Sequence, residues 1–303
     1  MPDRDTVAAW LGLISLPGAG AQTARTLAAR WGGPQAALAA GEAEWSAAGL
    51  GPEQVAWLAR HQPGALLRQV QRAGNAGITF LVLGEPAYPA LLAATPDPPP
   101  LLSILGSLLA ADKRAVALVG TRDPSPAGGG LARALAETLA REGITVVSGL
   151  ARGIDTAAHW GALTGGGRTI AVLGCGLSRC YPPENVLLAE AISHSGCLLS
   201  ERPPAALPSR QALLARNRLQ AGLARALVVV QARQQGGSYV AAKRALRLGR
   251  PVFVLLWEEP EFAAGCRRLE AMGARVCLPE MLLEGLHAAL DSPLPCPQPE
   301  LQG

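Results

Sequence analysis

Lysine is almost absent from this chain: of 27 basic residues only Lys113 and Lys243 are lysines, so arginine carries nearly all the positive charge. Arginine's planar fork suits phosphate oxygens and stacks on base rings. The same bias in an alanine-rich chain also follows from GC-rich coding, and both readings stand. Aromatic residues make up only 4% of the sequence. No apolar run of about 18 residues occurs, and the opening MPDRDTVAAW lacks a basic segment followed by an apolar core. A soluble, cytoplasmic protein with no membrane partner is therefore expected. The six cysteines, Cys175, Cys180, Cys197, Cys266, Cys277 and Cys296, form no CxxC or CxxH pair. They read as small hydrophobes, and no metal site is expected. A G-x-x-x-x-G-K-[ST] loop and a G-x-G-x-x-G turn are also missing, which speaks against ATP hydrolysis and a dinucleotide, so no cofactor is expected.

What is present is apolar enough, at 49% of 303 residues, to fill one full core and a second small domain. Charge is distributed unevenly. Lys113 to Arg250 holds 18 Lys and Arg against 7 Asp and Glu, while the rest of the chain holds 9 basic and 16 acidic residues. The middle of the chain is thus suited to an anionic partner.

Residues 1–76 read as a small all-helical domain. Leu16-Pro17-Gly18-Ala19-Gly20 and Gly49-Leu50-Gly51-Pro52 each lead into a helix, a spacing shared by helix-hairpin-helix and SAM-like modules, whose turn amides can face a DNA phosphate. A purely structural helical domain fits equally well. Trp10, Trp31, Trp45 and Trp57 fall at helical spacings and read as core. Residues 77–111 read as an extended proline-rich connector, with Ile78 to Leu83 as one possible added strand. Residues 112–290 alternate strand and helix, and 291–303 read as a disordered tail.

The organising stretch is Ala115 to Leu163. Apolar Val116 to Val119 stops at Gly120-Thr121-Arg122, and apolar Ile144 to Val147 stops at Ser148-Gly149-Leu150-Ala151-Arg152-Gly153. Further strands are predicted at Thr169 to Leu173, Cys197 to Leu199, Leu227 to Val230, Val252 to Leu256 and Arg275 to Leu278. Continuous apolar runs imply strands buried on both faces, hence an α/β, Rossmann-like, doubly wound and mostly parallel sheet. Strand-to-helix turns leave free N–H groups aimed outward, a ready seat for anionic oxygen. Such turns fall at Gly120 and Arg122, at Ser148, Gly149, Arg152 and Gly153, at Gly174 and Gly176, and at Gly237 and Ser238. Arg216, Asn217 and Arg218 precede the Leu227 strand; the two arginines point about 200° apart on a helix, so at most one faces the crevice. His159 reads as a packed histidine, Asp155 as a helix cap, and neither Glu184 nor Glu201 has a nucleophile or base paired with it.

At these residues the sequence resembles the DNA-processing protein A family (DprA, or Smf). The matching text is GTR at 120, VVSGLARGIDTAAH at 146–159, GRTIAVLGCGL at 167–177, YPPEN at 181–185, LLSERPP at 198–204, RNRLQAG at 216–222 and GGSYVAA at 236–242. The resemblance implies a non-catalytic single-stranded DNA-binding protein that protects incoming DNA and loads the RecA recombinase in natural transformation, as a homodimer. It places the strand on Gly120, Arg122, Ser148, Gly149, Arg152, Gly153, Gly174, Gly176, Arg216, Asn217, Arg218, Gly237 and Ser238. Three departures stand out: Leu213-Leu214-Ala215 replaces a Phe-Pro, Gln231 replaces an acidic residue, and Leu256-Trp257 replaces a Pro-Gly. No C-terminal winged helix is expected. The alternative is a phosphoribohydrolase-like enzyme acting on nucleoside monophosphates. Its catalytic glutamate has no counterpart at Gln234-Gln235-Gly236-Gly237-Ser238.

Overall fold

The structure is a computed structural model that describes residues 2–60, 63–234 and 236–293. Six helices come first: α1 (Arg4–Ile14), α2 (Ala21–Arg30), α3 (Pro34–Ala39), α4 (Glu42–Ala47), α5 (Pro52–Arg60) and α6 (Pro63–Asn75). Asp3 caps α1 by accepting from the Thr6 N–H at 2.8 Å. Gly18, at φ 68°, turns the chain from α1 into α2. Trp45 is buried and donates its indole N–H to the Ala37 carbonyl at 2.9 Å, while Trp10, Trp31 and Trp57 pack around the same cluster. The tryptophans therefore belong to the core of this helical region, as their spacing suggested.

The chain continues through β1 (Ile78–Val82), α7 (Ala90–Ala93) and β2 (Leu101–Gly106), then β3 (Ala115–Val119), α8 (Pro126–Arg141), β4 (Thr145–Ser148), α9 (Ile154–Thr164) and β5 (Thr169–Val172). It closes with α10 (Val186–Ser195), β6 (Cys197–Ser200), α11 (Arg210–Ala215), α12 (Asn217–Leu223), β7 (Ala226–Val229), α13 (Gly237–Arg247), β8 (Val252–Leu255), α14 (Pro260–Glu270), β9 (Arg275–Cys277) and α15 (Pro279–Asp291). Of the expected tail, residues 294–303 lie outside the described residues, as does Cys296. Among the described residues no helix is long and apolar enough to cross a membrane.

One sheet holds nine strands in the order β1-β2-β6-β5-β4-β3-β7-β8-β9. Strands β3 to β9 are mutually parallel, and β1 and β2 join antiparallel beyond β6. Segment 77–111, expected to add at most one strand, adds two. Leu101–Gly106 follows directly on the proline cluster, so its extended backbone reads as connector until β1 and β6 are seen pairing with it. The Tyr88 hydroxyl pins the intervening loop by donating to the Pro99 carbonyl at 2.8 Å.

Alternation along β3 explains its uniformly apolar sequence. Ala115, Ala117 and Val119 face one layer with residues of α12, α13 and α14, and Val116 and Leu118 face the other with α8, α9 and α15. The chain winds from β3 outward to β6, then returns to β7 on the opposite side of β3. In sheets wound this way the binding crevice falls beyond the carboxyl ends of the strands where the winding reverses, here β3 and β7.

The opposite edge of the sheet is clamped by one carboxylate. Arg168 donates to both Asp112 oxygens at 2.8 and 2.9 Å, and Thr145 donates to Oδ1 at 2.8 Å. The same guanidinium reaches the Ser107 and Ser195 carbonyls at 2.7 and 3.2 Å, tying β2, β4, β5 and α10 together. Replacing it strands a buried carboxylate. Arg168→Ala is expected to lower unfolding free energy by about 3 kcal/mol, the order found for breaking a mostly buried ion pair. Urea unfolding of parent and variant checks this.

Candidate nucleic-acid interface

The turn after β3 and the turn before α9 touch backbone to backbone. A Cβ on Gly153 would lie 2.5 Å from the Thr121 carbonyl oxygen and 2.7 Å from the Arg122 carbonyl carbon, and Gly153 also has φ 74°. Gly120 packs as tightly, since a Cβ there would come within 2.4 Å of Ile154. The Thr121 N–H donates across the crevice to the Gln231 carbonyl at 2.7 Å. These approaches set Arg122 and Arg152 on adjoining turns. Arg122 is exposed, and among the described residues no acidic side chain pairs with it. Arg152 is also exposed and donates through Nε to Glu184, whose carboxyl the arginine holds below the usual range.

Leu150 is the strained point of this loop, a non-glycine residue at φ 59°. Three anchors hold it. Its side chain is fully buried, its N–H donates to His159 Nε2 at 3.3 Å, and its carbonyl accepts from Asn185 Nδ2 at 2.9 Å. The histidine's state follows from its partners. Thr169 spends its one hydroxyl proton on the Val146 carbonyl at 2.8 Å, so it can only accept from His159 Nδ1 at 2.7 Å. His159 is thus neutral, protonated on Nδ1. Burial, with the Arg216 charge adding to it, pushes its pKa down to about 3.

Beneath the loop lies Arg216, only 5% exposed. Its guanidinium occupies the space a side chain at Gly149 would need: a Cβ there would sit 1.3 Å from Nη1. Nη2 faces Asp155 Oδ2 at 3.6 Å. The Gln220 amide adds to the shell, its oxygen accepting from the Gly149 N–H at 2.9 Å and Arg216 Nη1 at 2.8 Å, its nitrogen donating to Asn217 Oδ1 at 3.0 Å, while Arg216 Nε is buried without an acceptor. Burial raises the Asp155 pKa while Arg216 opposes the rise, and burial lowers that of Arg216 while Asp155 opposes it. Asp155 also accepts from the Ala151 N–H at 3.3 Å; the N-cap of α9 is Gly153, so Asp155 does not cap the helix as its position suggested but ties the preceding loop to its first turn.

The remaining residues singled out from the sequence divide by location. Ser148 is buried and donates to the Leu118 carbonyl at 2.6 Å. Asn217 donates to the Gly237 carbonyl at 2.9 Å and so fixes the start of α13, where Ser238 is also buried. Gly174 and Gly176 lie one strand along, packed against Leu213 and the Pro204 carbonyl. Arg218 turns away from the crevice. It pairs with Glu201, donates to the Asp97 carbonyl at 2.9 Å and lines a cleft of about 640 Å³ facing the α1–α2 turn. Gln231, standing where the resemblance expects an acid, accepts from the Ser125 N–H at 2.9 Å and donates to Ser125 Oγ at 3.0 Å, fastening β7 to the start of α8. Gln220 and Asn185 went unnoticed in the sequence. The one legible signal for Gln220 was its i+4 spacing from Arg216 on a helical stretch.

Comparison with known proteins gives a consistent neighbourhood. The profile of the family described as DNA recombination-mediator protein A matches residues 79–286. Protein Smf of Synechocystis is 44% identical over 216 residues, covering 69% of this chain and 54% of its own length. The chain thus spans about half the length of that relative. Among solved structures, DNA processing protein A of Streptococcus pneumoniae superposes with a TM-score of 0.69 at 27% identity, covering 93% of this chain and 98% of that one. The protein of the same name from Helicobacter pylori, solved for its single-stranded DNA binding mode, gives 0.62 at 30% identity over 69% of this chain and 96% of that one.

The neutral histidine makes stability depend on acidity. Its folded pKa lies below the ordinary 6.5, so between 6.5 and about 3 the unfolded chain takes up a proton that the folded chain refuses. This contribution weakens folding as pH falls, by about 1.4 kcal/mol per unit at most. His159→Gln removes it. The deficit of that variant relative to the parent is expected to be largest above pH 7 and to shrink toward pH 4, read as the difference in thermal midpoints.

Proposed function

The chain belongs to the DNA recombination-mediator protein A family, and from that premise we propose that it binds single-stranded DNA in the crevice beyond β3, β4 and β7 without altering it chemically. In this reading it protects incoming DNA and loads the RecA recombinase during natural transformation, as a cytoplasmic homodimer. The supporting observation is the pairing of two turns at the point where the winding reverses. They carry Arg122, with no acidic partner among the described residues, beside Arg152 with its water-screened Glu184. Cations so placed hold a phosphate chain of any sequence. Arg216 supports the turns from below and Arg218 serves the cleft on the other side, so neither is assigned a phosphate here.

Titration with single-stranded oligonucleotides at several salt concentrations tests the reading. Arg122→Ala is expected to weaken binding roughly tenfold and to reduce the slope of log K against log salt by about 0.7, the value for one phosphate contact on a single strand. Its thermal midpoint should stay that of the parent. Affinity and slope unchanged at every salt concentration would sink the assignment, and release of free base from nucleoside monophosphates would replace it with the enzyme reading.

Arg216→Met separates support from contact. It leaves Asp155 buried without its counter-charge and is expected to cost about 3–5 kcal/mol of stability. Chemical denaturation gives that value directly.

A further inference from the structure

We propose that the ring of Tyr181 is a base-stacking platform for the bound strand, set beside the arginines that take its phosphates; this rests on the single-strand reading above. The chain has few rings to spare, 6 Trp, 3 Tyr and 3 Phe. Of these, Trp160 at 40% and Tyr181 at 39% are exposed, while the others are buried or half-buried. Trp160 sits within the α9 helix, whereas Tyr181 lies in the loop that follows β5, at the carboxyl edge that also carries Arg122 and Arg152. An aromatic face left to water at such an edge is a surface for another apolar plane.

The loop is fastened to the arginine turn at two points. Glu184 receives the Arg152 Nε–H, and buried Asn185 donates to the Leu150 carbonyl at 2.9 Å and to Thr156 Oγ1 at 2.8 Å. From Arg122 through Gly153 and Arg152 to Glu184, the contacts run from the ends of β3 and β4 to the loop after β5, which carries Tyr181 three residues before Glu184. The loop that carries the ring is therefore tied to the arginine turn before any ligand arrives, and cations beside a ring are the arrangement by which sequence-tolerant proteins grip unpaired strands. A duplex, whose bases already stack on each other, offers no face to such a ring.

The test uses the full chain, an oligothymidylate and an oligomer of equal length made of abasic units. On oligothymidylate, Tyr181→Ala and Tyr181→Leu are expected to weaken binding roughly tenfold at every salt concentration, within the range for one stacked base. The salt slope should stay that of the parent, and Tyr181→Phe and Tyr181→Trp should retain parental affinity. On the abasic oligomer, parent and Tyr181→Ala should bind alike. Tyr181→Ala or Tyr181→Leu matching the parent on oligothymidylate, or an equal loss on the abasic oligomer, overturns the proposal. A parent that binds the strand through Arg122 and ignores Tyr181 removes only the stacking, whereas a parent that binds neither oligomer removes the single-strand reading and this proposal with it.

Discussion

A guanidinium group taken out of water must find both a counter-charge and acceptors for its protons, and at Arg216 that demand organises the whole crevice. Asp155 supplies the charge, Gln220 an acceptor, and Gly149 the room, because any side chain there would overlap the guanidinium. The consequences spread outward. His159, buried and close to that cation, stays neutral down to about pH 3, and in its neutral form it can receive the Leu150 N–H. Leu150 can then hold a left-handed conformation that a free loop would abandon.

Two layers result. The inner one, built of Arg216, Asp155, His159, Gln220, Asn185 and Asn217, is buried and spends its polar groups on one another and on the backbone and hydroxyls of the loops around it. The outer one carries Arg122 and Arg152 on turns whose glycines mesh, with little left to adjust when an anion arrives. Under the proposed single-strand reading, a phosphate chain meets turns whose backbone has little to reorganise. Arg216 and Arg218, two residues apart, serve different ends: one braces the crevice floor, the other shares Asp97 with Arg25 of α2 and so ties the helical N-terminal region to the sheet.

Much of the fold could be read from residue order. Runs such as Val116 to Val119 are apolar at every position because both faces of β3 are covered, and that alone implies parallel strands between helix layers. Strand β2 escaped because its pairing partners, β1 and β6, are about 20 and 95 residues distant in sequence, and nothing within Leu101–Gly106 records them. The site was half legible. Glycine and arginine at strand ends marked the turns, and helical geometry separated Arg216 from Arg218. Depth was not legible: Arg216 is buried by a loop some 65 residues earlier in the chain. Nor could spacing show that Gly120 and Gly153 are small for the sake of each other's turns and not for a ligand.

The antiparallel pair β1–β2 has one more effect. A sheet ending at β6 would expose a full row of N–H and C=O groups, open to hydrogen bonding by any extended chain. β2 covers that row, and α6 packs beside β1. At the far margin β9 is only three residues long and carries Arg275, whose guanidinium lies 5.8 Å over the Phe253 ring. At that border, copies of this molecule crowded together find a strand too short to serve as a template for cross-β growth.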